Sequence, residues 1–79
     1  MILDCKDNPP AVIYTLTIID SPDSATIGES HTGVLPRSLV LTPFGHYEIE
    51  VAAPGYITQI FTIEFTSNGQ TEDVCLDPI

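Results

Sequence analysis

The sequence predicts an all-β protein, a small antiparallel β-sandwich of six to seven strands. Three observations carry that expectation. Apolar residues alternate with polar ones at a period of two, and no segment repeats at the helical period. Stretches rich in β-branched and aromatic residues are separated, every 8–12 residues or so, by clusters of Gly, Pro, Asn, Asp and Ser. With 79 residues, the chain makes one domain that buries roughly 60% of its unfolded surface, so the core is thin.

Taken in order, residues 1–10 (MILDCKDNPP) mix charges with Pro9 and Pro10, which favour extended backbone and remove ladder N–H groups. They are expected to form an extended N-terminal arm before a domain at 11–79. Residues 11–19 set Tyr14, Leu16 and Ile18 against Thr15 and Thr17, a first strand. The DSPDS turn at 20–24 follows, then a short strand at 25–27 and a loop at 28–33. A third strand runs over 37–41, with Leu39 and Leu41 on one face. Between the turns at Pro43-Phe44-Gly45 and Pro54-Gly55, a fourth strand puts Tyr47, Ile49 and Val51 inward and His46, Glu48 and Glu50 outward.

The fifth strand, 56–66, aligns Ile57, Phe61, Ile63 and Phe65 but leaves Ile60 opposite, which predicts either a bulge or an exposed Ile60. Ser67-Asn68-Gly69 carries a hairpin signal. A last strand at 71–76 then has Val74 and Leu76 inward and Cys75 outward beside Asp73 and Asp77. The expected common core is Leu16, Ile18, Tyr47, Ile49, Val51, Phe61, Ile63, Val74 and Leu76.

Eleven acidic residues against two basic ones give a net charge of −9, which repels phosphate backbones and anionic membranes. Neither nucleic acid nor membrane is expected as a partner. The same charge suits solubility, a basic protein partner, or mimicry of nucleic acid. No apolar run approaches the ~20 residues of a membrane span. The acidic first ten residues lack a signal-peptide apolar region, so a native Met1 implies a protein made without a Sec signal, whereas an added Met1 leaves the origin open.

Chemistry-bearing residues are sparse. His31 and His46 are the bases nearest neutrality, and Ser30 beside His31 lacks any nucleophile motif. Cys5, His31, His46 and Cys75 lack the paired spacing of a zinc site. Asp20 and Asp23 lack the spacing of a calcium loop, and Glu48 with Glu50 reads as a solvated strand face rather than a glycosidase pair. No catalytic, cofactor-binding or metal residue, no cofactor and no enzymatic activity is expected. Two states of the cysteines stand open: a Cys5–Cys75 disulfide joining the arm to the last strand, or two free thiols in a reducing compartment.

With the turns laid out, the chain resembles the PEGA family of small β-sandwiches, themselves similar to transthyretin-like and carboxypeptidase-regulatory-like modules. Pro22-Asp23-Ser24-Ala25 stands where the family has its name tetrapeptide, with Ser in place of Gly. Gly33-Val34-Leu35-Pro36 matches its Gly-x-x-Pro, and the segment from Leu41 through Pro43, Gly45 and Tyr47 matches its strand, turn and aromatic. Gly55-Tyr56 matches its Gly-Tyr pair. The resemblance spans residues 12–77 and implies a non-catalytic spacer, adhesion or assembly module. The expected partners are protein subunits of a larger assembly, copies of itself among them. A bacteriophage virion structural or decoration protein, located at the virion surface, is the expected role. The alternatives are a bacterial cell-surface spacer or adhesion module, and an acidic inhibitor that mimics nucleic acid.

Overall fold

The computed structural model describes residues 1–5 and 12–79. It is all-β, two sheets packed face to face. Its strands are β1 (Ile2–Asp4), β2 (Tyr14–Asp20), β3 (Ser30–Gly33), β4 (Arg37–Ser38), β5 (Gly45–Ala52), β6 (Gln59–Phe65) and β7 (Thr71–Asp73). The larger sheet has the order β3-β2-β5-β6, and the smaller β4-β1-β7.

The larger sheet follows directly from alternation. In antiparallel register Leu16 lies opposite Val51, Ile18 opposite Ile49, and Tyr47 opposite Ile63, and residues directly opposite share a face. These side chains are buried together with Phe65. Phe61, expected in the core, is only half-buried: it faces Ile49 from β6, which no further strand flanks among the described residues, and packs at the core's rim. Ile60 is exposed on the outer face opposite Glu50. Pairing of β6 begins at Gln59, so Ile57 lies outside the ladder and is exposed, while Tyr56 bridges Pro78.

The smaller sheet corrects the expectation of an arm. Within its described part, residues 1–5 are the middle of a sheet: β1 runs antiparallel to β4 and parallel to β7. The reason is a three-point apolar stripe, Met1, Leu3 and Cys5, all buried, which a free arm would leave in water. Backbone bonds tie it on both sides, Ile2 N–H to Gln70 O at 2.8 Å, Leu39 N–H to Met1 O at 2.8 Å and Val74 N–H to Asp4 O at 2.9 Å. The remainder of the expected arm, with Lys6, Pro9 and Pro10, and the start of the predicted first strand at Ala11 lie outside the described residues.

Other elements shift for local reasons. The expected strand at 25–27 is a one-turn 3₁₀ helix, Ser24–Thr26, because the Asp23 side chain accepts the Ala25 N–H and Thr26 N–H closes on Asp23 O at 3.0 Å. The expected loop at 28–33 contains β3, a polar edge strand whose SHTG sequence shows no apolar alternation. Only Arg37 and Ser38 of the third predicted strand pair, although Leu39 and Leu41 are buried beyond them. The Ser67-Asn68-Gly69 turn forms, with Gln70 N–H on Ser67 O at 3.2 Å. It makes no hairpin, since β6 and β7 belong to different sheets. The last ladder ends at Asp73, with Val74 and Leu76 buried past it.

Candidate functional site

The residues that carry the PEGA resemblance lie at turns and at strand ends. Pro22 packs against Gly45, whose φ is +145°; a Cβ there would lie 2.7 Å from the Pro22 ring. Asp23 caps the 3₁₀ turn through Ala25 N–H at 3.0 Å. Pro36 and Pro43 follow cis peptide bonds, and the carbonyl of Pro43 accepts the Tyr47 hydroxyl at 2.5 Å. Gly33 leaves room for the Arg37 guanidinium, which donates to Thr32 O at 2.9 Å and so covers an acceptor on the β3 edge. Gly55 has φ +83°, a conformation other residues adopt with strain, and Tyr56 pairs with Pro78.

Cys5 and Cys75 are joined by a disulfide, with Cα atoms 4.9 Å apart. It ties the end of β1 to the segment after β7, so Cys75, expected to face outward, is half-buried. Tyr14 and Tyr56 lie beside it in a shallow depression at the end of the sandwich. Burial raises the Tyr14 hydroxyl above its ordinary pKa of 10.0, and Tyr56 adds to the rise. Asp73 lies within ligand reach of both sulfurs, but sulfurs bonded to each other offer no thiolate to a metal.

The two histidines are held apart. His31 sits opposite Leu16 and therefore shares the core-side face at the sheet's edge, whereas His46 pairs with Glu64 on the outer face. Ser30, next to His31, points to the other side and its hydroxyl bonds that of Thr17 at 3.0 Å. No serine–histidine pair is assembled there. The DSPDS turn uses its side chains internally: Asp20 Oδ1 accepts Ser21 N–H at 2.9 Å, Ser21 Oγ accepts Asp23 N–H at 3.1 Å, and Asp23 accepts Ala25 N–H.

The outer face of the larger sheet gathers most of the remaining polarity. Thr17 and Ser30 are in line with Glu50, and Thr62 with Glu48. At the end of that face four groups converge. His46 Nδ1 is 2.6 Å from Glu64 Oε1, and His46 Nε2 is 4.0 Å from Asp20 Oδ2. Glu48 stands opposite Asp20 across a register shift after Ile18. The hydrogen bond to Glu64 raises the His46 pKa above 6.5; desolvation opposes this, and the charges of Glu64, Glu48 and Asp20 reinforce it.

The sequence placed His46, Glu48 and Glu50 on one face, but it missed Asp20. Regular alternation puts Asp20 inward with Ile18; the bulge turns it outward. Glu64 was within reach of sequence reasoning, because it shares the parity of Ile60.

The fold and these sites define a small, disulfide-linked, acidic all-β sandwich. No family model, no curated protein and no solved structure matches the chain, so the PEGA resemblance rests on the motif residues alone.

Proposed function

We propose that this domain is a PEGA-like, non-enzymatic structural module that serves as a protein subunit or appended domain of a larger assembly exposed to an oxidising environment, with the surface of a virion as its setting. The observation that supports this reading is the Cys5–Cys75 disulfide. Disulfides persist on virion and cell surfaces and in secreted proteins, whereas reducing cytosol opens them. A sandwich this small gains much from such a link, since its core alone is marginal. A cell-surface spacer or adhesion module satisfies the same chemistry. The outer sheet face, with Asp20, Glu48, Glu50 and Glu64 and no paired Lys or Arg among the described residues, favours a basic protein partner over nucleic acid or membrane. It also gives the nucleic-acid mimic its one supporting feature.

Mass spectrometry of particles purified from the native source, run without reduction, tests the proposal. A virion component appears there at tens to hundreds of copies with its cysteines linked. Recovery only from cell envelopes replaces the virion by the surface module. A cytosolic protein with alkylatable thiols, bound to a nucleic-acid-binding partner that dissociates steeply with salt, overturns the proposal in favour of the mimic.

A further inference from the structure

We infer that Asp20, His46 and Glu48 form a binding site for a zinc(II) ion on the outer face of the larger sheet, with Glu64 as the group that orients the imidazole. One ligand atom from each of the three residues lies within 4.8 Å of the others. Zinc takes imidazole nitrogen and carboxylate oxygen at about 2.0–2.2 Å, so its tetrahedral ligand atoms stand about 3.3–3.5 Å apart. Closing from the observed spacing takes about 1 Å of motion at the tips of side chains that are partly or largely exposed. Water completes the coordination, as at zinc sites with three protein ligands.

Three features fit a first-row metal better than a solvated acidic face. The first is the imidazole itself, which suits Zn, Cu and Ni and is a poor ligand for the hard cations that carboxylates alone attract. Its orientation is the second. Against the Glu64 carboxylate, which only accepts, His46 Nδ1–H donates to Glu64 Oε1 at 2.6 Å, and this places the neutral ring's lone pair on Nε2, the nitrogen that faces Asp20. Carboxylate, imidazole and metal stand in this order at many zinc sites, and the outer carboxylate both fixes the tautomer and raises ligand basicity.

The third feature is backbone geometry. Ile18 pairs with Ile49, yet Asp20 pairs with Glu48, so two residues of β2 face one step of β5. Without that extra residue Asp20 would lie across from Tyr47 on the core side. The bulge therefore delivers a carboxylate to the same face as His46 and Glu48, on strands that are otherwise regularly paired. Three carboxylates around one neutral imidazole also repel each other. Arg37, the one described arginine, is bonded to Thr32 at the far edge of the sheet.

Titration of the full chain with zinc chloride, followed by calorimetry and amide NMR, tests the inference. One zinc per chain is expected, with shifts concentrated at Asp20, His46, Glu48 and Glu64. His46→Ala abolishes this binding, Asp20→Asn and Glu48→Gln each weaken it, and Glu64→Gln weakens it about 10–100-fold. None of these side chains is buried, so circular dichroism should show all four variants folded. Absence of saturable zinc binding overturns the site, as does binding unaffected by His46→Ala, shifts centred on His31, or calcium bound as tightly as zinc.

Discussion

The two sheets of this sandwich are built on different principles. The larger one has strands of seven, eight and seven residues at β2, β5 and β6. Each contributes alternate apolar side chains, and each pairs with a neighbour over most of its length. The smaller one is made of strands of three, two and three residues, too short to specify a register by alternation alone. It is held by what lies around its ladders: Leu3, Leu39 and Val74 packed into the shared core, the amino group of Met1 donating to Leu39 O at 3.0 Å, and the disulfide. Local pattern organises one half of the molecule. Long-range constraint organises the other, whose central strand comes from the first five residues and whose neighbours come from positions 37 and 71 onward.

The sharpest way to break the comparison is to reduce the disulfide. The link closes a loop with a sequence separation of 70, and in the chain-entropy model a loop of that size is worth about 4 kcal/mol. Urea unfolding with and without a reductant should differ by about that amount. Hydrogen exchange should localise the loss: the amides of Ile2, Leu39 and Val74, whose bonds hold the smaller sheet, exchange faster on reduction, while those of Ile18 and Tyr47 keep much of their protection. Uniform acceleration would mean that both sheets depend on the link equally.

Next in size are truncations in each sheet. Leu3 and Ile49 are both fully buried, and Leu→Ala or Ile→Ala in a core costs about 2–5 kcal/mol. Leu3→Ala is expected to weaken reduced protein so far that the smaller sheet fails to form, whereas Ile49→Ala lowers global stability in either redox state. Glu50→Gln, one residue from Ile49 on the outer face opposite Thr17, should change stability by no more than about 0.5 kcal/mol. Equal effects of Ile49→Ala and Glu50→Gln in denaturant unfolding would show the β5 phase to be off by one residue.

The same contrast explains what was legible in the sequence. β2, β5 and β6 announce themselves because Tyr14, Leu16 and Ile18, then Tyr47, Ile49 and Val51, then Ile63 and Phe65 repeat at period two among Thr and Glu. β1 offers only Met1, Leu3 and Cys5 beside charged residues and two prolines, and a stripe of three does not outweigh that composition. β3 is invisible for the opposite reason: Ser30, His31, Thr32 and Gly33 are polar or small on both faces, and only the neighbouring β2 makes them a strand. The hairpin signal at Asn68-Gly69 is a true turn, but a turn motif does not say which sheet the next strand joins. Of the outer-face cluster, His46 and Glu48 were legible by alternation. Asp20 was not, because a bulge leaves no mark on the residues that form it.

The smallest predicted effect lies wholly within the larger sheet and sharpens the comparison by leaving the smaller one untouched. His46 on β5 faces Glu64 on β6, Glu48 on its own strand and Asp20 on β2. Its pKa is raised from 6.5 mainly by the Glu64 hydrogen bond. A raised folded-state pKa means that the folded protein holds this proton more tightly than the unfolded chain. The associated stability is fully present below 6.5, where both states are protonated, and it fades as pH rises through the folded-state pKa. The pair is exposed and salt-screened, so the effect is small. Proton NMR of the His46 ring, with a chelator present to exclude metal, should give a midpoint above 6.5 that falls in Glu64→Gln and stays nearly unchanged when the disulfide is reduced. A midpoint at or below 6.5 in the unsubstituted protein would show that desolvation outweighs the carboxylates. A midpoint that shifts on reduction would mean that the larger sheet does not keep its outer face without help from the smaller one.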